Sequence, residues 1–222
     1  VMTDPKGVDP AGETVPLTIP PHSTGEVDIP LVLSNVKPWS PDNPDLYTLS
    51  VEVWDAAGGD HSKDPAHLLD NRSIRVGVRT VEITEKGLVL NGSLFPEKLI
   101  GGNRHQDFAR LGNAVPNNLQ WQDAVKLRKA GMRVIRSAHY PQDPAFMDAC
   151  DRLGLFVIVA TPGWQFWGRG PFADRVYDDI RQMVRRDRNH PSVMMWEPIL
   201  NETHYPADFA KKARDLVHEE YP

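Results

Sequence analysis

The chain has 222 residues, of which 40% are hydrophobic and 25% are charged, and its formal net charge is −5. This composition is ordinary for a globular protein, and the length suits one large domain or two modest ones. The slight acidity argues against a nucleic-acid partner, which usually needs a basic patch, and no apolar run approaches the roughly 20 residues of a membrane span.

Residues 1–87 have the pattern of an all-β region. Four stretches are β-branched or alternate in polarity, as strands do; they cover residues 25–33, 46–55, 69–78 and 79–83. Turn-forming segments separate them, at 39–44 (WSPDNP) and 57–59 (AGG). An immunoglobulin-like β-sandwich needs about seven strands. We therefore predict a partial sandwich that lacks its first strands.

Strands and helices alternate in residues 88–222, which we predict to be a second domain. The strands are expected near 99–102, 134–136, 155–159 and 192–196, and the helices near 119–130, 143–153, 172–186 and 206–220. Asp143 and Pro144 are typical of a helix N-terminus. Such alternation predicts parallel βαβ units of the α/β class. A complete eight-unit barrel takes about 250 residues, so this region holds half a barrel or a four-unit open sheet.

Polar residues follow each predicted strand of this second region. The four clusters are 103–107 (NRHQD), 137–141 (SAHYP), 161–167 (TPGWQFW) and 201–205 (NETHY). The carboxyl ends of parallel strands lie at one edge of a sheet, which is where ligands bind. We therefore expect the four clusters to converge on one candidate site.

The last cluster contains the strongest candidate for catalysis, Glu202. It closes the stretch 185–202 (RRDRNHPSVMMWEPILNE), in which a basic helix end, a turn and a buried strand precede it. A carboxyl group at a strand end suits protonation of the leaving oxygen of a glycoside, while Asn201 donates to a sugar hydroxyl. Glu197 is the competing acid. The simpler alternatives are a carboxylate that complements a helix macrodipole for Glu202 and a turn residue for Asn201.

The first two clusters supply candidate substrate-binding residues. Arg104 and Asp107 are expected either to form an ion pair that braces the floor of the site or to contact the sugar directly. His105 and His139 are expected to bind sugar hydroxyls. A structural role with satisfied hydrogen bonds is the alternative for both histidines.

Two tryptophans of the third cluster, Trp164 and Trp167, suit stacking on a sugar face. Packing at the rim of the barrel is an equally plain interpretation of both. The histidines at 105, 139 and 204 lack the i, i+4 spacing of a helical zinc pair. We therefore predict no metal site.

Several ordered motifs resemble those of glycoside hydrolase family 2, the family of β-galactosidases, β-glucuronidases and β-mannosidases. The motifs are WSPDNPDLYTL at 39–49, RVGVRT at 75–80, LNG at 90–92, GNRHQD at 102–107, RSAHYP at 136–141, MDACDRLGLF at 147–156 and the stretch at 185–202. Together they extend the resemblance over residues 25–210.

The resemblance implies a partial immunoglobulin-like sandwich followed by the first four units of a TIM (β/α)8 barrel. It implies a retaining β-glycosidase in which Glu202 is the acid/base at the end of barrel strand four, with Asn201 beside it and His105 and His139 near the sugar. A second carboxylate, roughly 5 to 5.5 Å away, forms a covalent glycosyl intermediate in that mechanism. No residue of this chain matches that nucleophile, because the later strands are absent. The isolated chain is therefore predicted to be inactive.

Two features depart from the family pattern. Many members carry Asp-Glu after strand three, sometimes with a metal ligand, whereas this chain has ATPGW at 160–164. This difference weakens the interpretation as a magnesium-dependent β-galactosidase. Glu-Pro-Ile-Leu also replaces the small-residue turn that often precedes Asn-Glu. We predict a β-galactosidase-like parent enzyme that acts on β-glycosides without a cofactor.

The main alternative is a carbohydrate-binding or structural fragment without catalysis. A four-unit open sheet with another function is weaker, because no glycine-rich phosphate loop follows a strand. A half barrel leaves sheet edges unpaired, so we expect a homo-oligomer or a complementing segment. The family's polysaccharide-degrading members lead us to expect a periplasmic or extracellular location.

Overall fold

The structure, a computed structural model, describes residues 1–8, 11–55 and 65–222. The predicted turn at 57–59 lies outside the described residues. The strands are β1 (Met2–Thr3), β2 (Tyr47–Trp54), β3 (Leu68–Val76), β4 (Val81–Thr84), β5 (Gly87–Leu90), β6 (Ser93–Leu94), β7 (Gly101–Arg104), β8 (Val134–Ser137), β9 (Phe156–Ala160) and β10 (Val193–Glu197). The helices are α1 (Asn117–Lys129), α2 (Pro144–Leu153), α3 (Phe172–Asp187) and α4 (Ala207–Glu220), and a short 3-10 helix (Pro65–His67) precedes β3. Within the described ranges, no helix is both long and apolar enough to cross a membrane.

The first sheet is antiparallel, in the order β1-β2-β3. Its main pair, β2 and β3, starts where Tyr47 lies opposite Val76. These two strands confirm the ones predicted at 46–55 and 69–78. With three described strands, the sheet forms part of a sandwich, as expected.

The strand predicted at 25–33 is wrong. The segment forms no strand, and its apolar side chains are exposed by 45% at Val27, 40% at Ile29 and 82% at Val32. Alternating polarity predicts a half-buried strand, but strands depend on neighbouring side chains for their stability. The described residues provide neither a partner strand nor a core for this segment.

A second antiparallel sheet, in the order β4-β5-β6, consists of two tight hairpins. β4 overlaps the strand predicted at 79–83, whereas β5 and β6 have no counterpart among the predicted strands. The turn between β5 and β6 is Asn91-Gly92, with φ values of +52° and +77°. Asn-Gly favours this left-handed backbone, which matches the twist of a hairpin. The domain boundary after residue 87 would fall just inside β5, and it stays a prediction.

The third sheet is parallel, in the order β10-β9-β8-β7. The helices α1, α2 and α3 connect its consecutive strands, and α4 follows β10. This arrangement confirms the predicted alternation and matches half of a (β/α)8 barrel. Asp143 caps α2 by accepting a hydrogen bond from the Ala145 amide at 2.8 Å, and Gly154 ends the helix with a φ of +69°. A glycine is favoured there because the backbone is left-handed.

One face of the parallel sheet is buried and the other is open. Ile135, Val157 and Val159 face the helices and are at most 1% exposed. The opposite face carries Arg136 in β8 and Met195 in β10, and Met195 is 38% exposed. In a closed barrel this second face would form the interior. The open face and the edges of β7 and β10 are therefore the surfaces that further strands would cover.

Trp39 joins the N-terminal region to the parallel sheet. Its side chain is fully buried, and its indole packs edge-to-face on Phe156, the first residue of β9, with centroids 5.7 Å apart. Its Nε1 donates a hydrogen bond to the Asp151 carbonyl at 2.8 Å. Arg79 donates to two carbonyls at the start of β10. The N-terminal region is thus packed where β9 and β10 begin, at the end opposite to the polar clusters.

Candidate active site

The carboxyl ends of the parallel strands bring four of the predicted residues into one continuous cluster. The His105 and His139 rings meet edge-to-face with centroids 5.3 Å apart, and His139 stacks on Trp164 at 5.8 Å. The Trp164 Nε1 in turn donates to Glu202 Oε2 at 3.1 Å. The four polar clusters therefore lie together, as parallel strands require.

Glu202 lies just beyond β10 in a left-handed backbone conformation, with a φ of +48°. Its side chain is exposed, and Oε2 also accepts a hydrogen bond from Gln165 Nε2 at 2.9 Å. The donors on Trp164 and Gln165 stabilise the charged form and lower the pKa of Glu202. Among the described residues, none donates to Oε1. That oxygen is the one available to a ligand.

Asn201 is fixed by both its backbone and its side chain. Its carbonyl accepts from the Gln165 amide at 3.0 Å, and its Oδ1 accepts from Arg136 Nη2 at 3.1 Å. The preceding Leu200 is 2% exposed and lies under Gly163, where an added Cβ would come within 2.5 Å of the leucine side chain. The loop after β10 is therefore packed against the loop after β9, and this packing places Asn201 beside Glu202.

Arg136 in β8 occupies the centre of the site and is absent from the predicted residues. Its guanidinium donates to both carboxylate oxygens of Glu197, through Nε at 2.6 Å and through Nη2. It also donates to Asn103 Oδ1 at 3.3 Å. The hydrogen bonds to Glu197 raise the pKa of Arg136. The available sequence signal was a charged residue inside an apolar strand, which needs a partner when it is partly buried.

Glu197, the competing acid, is the last residue of β10, and its side chain is 19% exposed. Because both of its oxygens accept from Arg136, the carboxylate is held in a bidentate ion pair. Glu202 keeps one uncommitted oxygen. The geometry therefore favours Glu202 over Glu197 as a proton donor to a ligand.

His139 lies beside this ion pair. Burial and the nearby charge of Arg136 lower the pKa of His139. Its Nδ1 lies 3.4 Å from Arg136 Nη1. Since a guanidinium can only donate, Nδ1 accepts and the ring proton resides on Nε2. His105 is the more exposed of the two histidines.

Arg104 lies outside this cluster. Its side chain is 6% exposed and faces the helices, where it donates to Gln142 Oε1 at 2.5 Å and to Asp123 Oδ2 at 2.9 Å. The predicted ion pair with Asp107 is wrong, because α1 supplies the carboxylate. Asp107 is exposed in the loop after β7, and the Asn113 amide reaches its Oδ1 at 2.6 Å when oriented to donate. Arg104 thus braces the end of β7 from the helix side.

The two tryptophans of the third cluster have different surroundings. Trp164 is 55% exposed beside Glu202. Trp167 is half-buried and packs edge-to-face on Phe209 and Phe172, with centroids 4.9 Å and 5.4 Å away. The alternative interpretation, packing at the rim of the barrel, fits Trp167. Trp164 has the exposure that a sugar contact needs.

A separate titratable cluster lies at the other end of the sheet. Asp148, Asp151 and His190 place one potential ligand atom each within 4.8 Å of one another. Asp151 Oδ1 accepts from the Ser192 amide at 3.0 Å, and Asp151 Oδ2 lies 2.6 Å from His190 Nδ1. These hydrogen bonds account for Asp151, the buried member of the cluster, and for its partner His190. The expectation that the chain binds no metal stays a prediction.

Comparison with known proteins identifies related sequences. The family model "Glycosyl hydrolases family 2" matches residues 4–79, and "Glycosyl hydrolases family 2, TIM barrel domain" matches residues 81–217. A β-galactosidase from Thermoanaerobacter pseudethanolicus is 36% identical over 189 residues, which cover 84% of this chain and 24% of that protein. A putative β-glucuronidase from Formosa agariphila is 32% identical over 183 residues, which cover 80% of this chain and 20% of that protein. The chain thus spans a quarter or less of the length of the curated relatives it matches.

Solved structures share the fold over the whole chain. A glycosyl hydrolase family 2 member from Bacteroides cellulosilyticus has a TM-score of 0.86 at 29% identity and covers 100% of this chain and 30% of its own. β-Glucuronidase 3 from Bacteroides uniformis has a TM-score of 0.79 at 27% identity, with 100% and 28% covered. The likeness therefore includes both the antiparallel sheets and the parallel sheet, a partial immunoglobulin-like domain and a partial barrel.

Proposed function

The chain belongs to glycoside hydrolase family 2, and from this premise we propose that it carries the acid/base half of a retaining β-glycosidase. The observation behind the proposal is the position of Glu202. It lies at the carboxyl end of the fourth barrel strand, beside Asn201, with one carboxylate oxygen free of partners among the described residues. Ligands of such sheets bind at this edge.

In the proposed reaction, the Glu202 carboxyl protonates the glycosidic oxygen as its bond to the anomeric carbon breaks. A second carboxylate, from a barrel strand beyond this chain, forms a covalent bond to that carbon. Glu202, now ionised, then takes a proton from water while the water oxygen attacks the same carbon and releases the second carboxylate. The two inversions together retain the configuration of the sugar.

The electrostatics of Glu202 support the proposal that the second half is needed. A general acid at neutral pH requires a raised pKa, whereas the donors on Trp164 and Gln165 lower the pKa of Glu202 in this chain. A second carboxylate at roughly 5 to 5.5 Å would raise it by like-charge repulsion. The isolated chain lacks that group, which supports the prediction that it is inactive. The same feature favours the second candidate function, a fragment that binds carbohydrate without cleaving it.

The neighbours of Glu202 supply groups that suit sugar binding. Asn201 Oδ1 accepts from Arg136, and among the described residues its Nδ2 makes no hydrogen bond. The Nδ2 is therefore free to donate to the 2-hydroxyl, a bond that strengthens in the transition state. His105 and His139 are proposed to contact further hydroxyls, and the exposed Trp164 ring to contact apolar C–H groups. Asp107, which is exposed after β7, is proposed to contact the rim of the sugar.

The sugar is proposed to be a terminal β-galactoside or a related β-glycoside. The 36% identical relative is a β-galactosidase, while another relative at 32% identity is a putative β-glucuronidase. Both names belong to those proteins, and the sugar accepted by this one depends on strands outside the chain. A panel of nitrophenyl β-glycosides distinguishes the two.

The test is Glu202→Gln in the native gene product that contains this chain. We expect rates on unactivated glycosides to fall by about 100-fold or more, because proton donation contributes about that much. Rates on dinitrophenyl glycosides should fall much less, since a good leaving group needs little protonation. Glu219→Gln, an exposed change on α4, is the control.

Equal losses on both substrate classes would argue against an acid role for Glu202. Turnover by the isolated chain would contradict the split-site interpretation. Sugar binding without turnover by the native product would favour the non-catalytic alternative.

A further inference from the structure

The ion pair between Arg136 and Glu197 has no part in the reaction steps above. It nevertheless lies at the centre of the site, between β8 and β10. The Arg136 side chain is 22% exposed and that of Glu197 is 19% exposed, so both charges are partly withdrawn from water. Such a charge needs a partner close by. Each residue supplies that partner for the other.

The guanidinium has few donors to spare after it binds Glu197. Nε and Nη2 hold the two carboxylate oxygens, which fixes the plane of the guanidinium. In that plane, Nη2 also reaches Asn201 Oδ1 at 3.1 Å, and Nη1 lies 3.4 Å from His139 Nδ1. The orientation imposed by Glu197 therefore determines what Asn201 and His139 face.

The two contacts with Arg136 determine which atoms of Asn201 and His139 act as hydrogen-bond acceptors. Because Arg136 can only donate, Asn201 must present its oxygen to the guanidinium, which leaves its NH2 group for another partner. His139 must accept through Nδ1 and carry its proton on Nε2. One guanidinium thus occupies the acceptor atom of two neighbouring side chains and leaves the N–H donor of each for another partner.

We propose that Glu197 is a positioning residue, which holds the Arg136 guanidinium so that Asn201 and His139 present N–H donors to the sugar. This inference rests on the proposed function, because it assigns the donors to a glycoside substrate. Glu197 itself does not touch the substrate. Its effect passes through Arg136.

Because Glu197 acts through Arg136 and Asn201, the loss of activity on replacing Glu197 should depend on one sugar hydroxyl. If Asn201 donates to the 2-hydroxyl, a misplaced amide costs most in the transition state, where that bond is strongest. A substrate without the 2-hydroxyl has no bond to lose. A loss caused by general damage to the site would be the same on both substrates.

The experiment compares Glu197→Gln with the unchanged native gene product on a nitrophenyl β-glycoside and on its 2-deoxy analogue. Glutamine keeps the shape of the side chain but offers only one acceptor oxygen, so it cannot bind the guanidinium through two. We expect kcat on the parent glycoside to fall at least about tenfold, while KM changes less than about threefold. On the 2-deoxy analogue, kcat should fall less than about threefold. The exposed Glu219→Gln variant is the matched control and should match the unchanged protein on both substrates.

Arg136→Lys is the second variant and decides the matter if Glu197→Gln does not fold. Lysine keeps the positive charge but cannot bind two carboxylate oxygens and Asn201 in one plane, so the same difference between substrates is expected. Equal losses on both substrates, or no loss on the parent glycoside, would overturn the inference and leave the proposed function intact. An unchanged protein that hydrolyses none of the β-glycosides would overturn the proposed function, and the inference with it.

Discussion

Replacing Trp39 by phenylalanine tests how much the hydrogen bond from its indole stabilises the contact between the N-terminal region and the parallel sheet. The indole Nε1 donates to the Asp151 carbonyl at 2.8 Å. Asp151 lies in the last turn of α2, where carbonyls have no N–H partner within the helix. Trp39 supplies the missing donor, and phenylalanine removes it while keeping an apolar ring.

The size of the effect follows from burial. A buried carbonyl that loses its donor costs about 1 to 3 kcal/mol, and Trp39 is fully buried. We expect Trp39→Phe to cost about 2 kcal/mol, which corresponds to a roughly 30-fold larger equilibrium constant for local opening. Trp39→Ala would add a cavity and cost about 3 to 5 kcal/mol.

Hydrogen exchange by mass spectrometry measures this opening in the native gene product, in the peptide that spans residues 144–160. Trp54→Phe is the matched control, because the Trp54 Nε1 bonds to the exposed Glu52 carboxylate at 3.1 Å. A surface change of this kind costs less than about 0.5 kcal/mol. If Trp39→Phe exchanged no faster than Trp54→Phe, the indole would not be the missing donor of α2.

Three further predictions concern the candidate site, the cluster of Asp148, Asp151 and His190, and the open face of the parallel sheet. Gln165→Ala removes a donor to the charged form of Glu202 and so raises the pKa of Glu202. The limb of the kcat/KM–pH profile that Glu202 sets should therefore move to higher pH. An unmoved limb would contradict the assignment of Glu202 as the acid. Burial lowers the pKa of His190, but the hydrogen bond and charge of Asp151 outweigh it and raise that pKa. The raised pKa stabilises the fold below the unfolded value of about 6.5. That stabilisation is lost as pH rises through the folded value, so the Tm difference between the unchanged protein and His190→Gln should narrow as pH rises above about 6.5. The isolated chain should self-associate through its open sheet face, and Met195→Lys should weaken the association in sedimentation; a monomeric isolated chain would refute this.

The helices and parallel strands of the barrel region could be predicted because their signals are local. A helix N-terminus such as Asp143-Pro144 depends on the capping side chain and the fixed φ of proline. Parallel alternation then dictates that the strand ends meet. The convergence of the polar clusters on one edge followed from topology, without knowledge of any contact.

Partners across the sheet could not be predicted in the same way. Arg104 and Asp107 are close in sequence, yet Arg104 pairs with Asp123 in α1. Arg136 and Glu197 lie 61 positions apart, and only the order of the sheet, in which β9 separates β8 from β10, brings their strands close together. Sequence proximity therefore suggested a wrong ion pair, and sequence distance concealed the central one.

The missed and mistaken strands of the N-terminal region have a related cause. A strand is stabilised by what pairs with it, and the segment at 25–33 has no partner among the described residues. The hairpin of β5 and β6 carried a local signal, since Asn91-Gly92 favours a two-residue turn. Its strands are short, however, at four and two residues, so the alternation that marks longer strands is absent.

The N-terminal region contributes none of the predicted site residues, yet it helps to place them. Arg79 donates to the carbonyls of Pro191 and Val193, where β10 begins, and a Cβ on Gly77 would come within 2.6 Å of the Pro191 ring. At the other end of the same strand, Arg136 holds Glu197. β10 is thus fixed at its entry by the N-terminal region and at its exit by a side chain of β8, which lies on the far side of β9. Because Glu202, the proposed acid/base, lies in the loop that follows this strand, its position depends on both attachments, and this dependence gives a physical reason for the two regions to occur together in one chain.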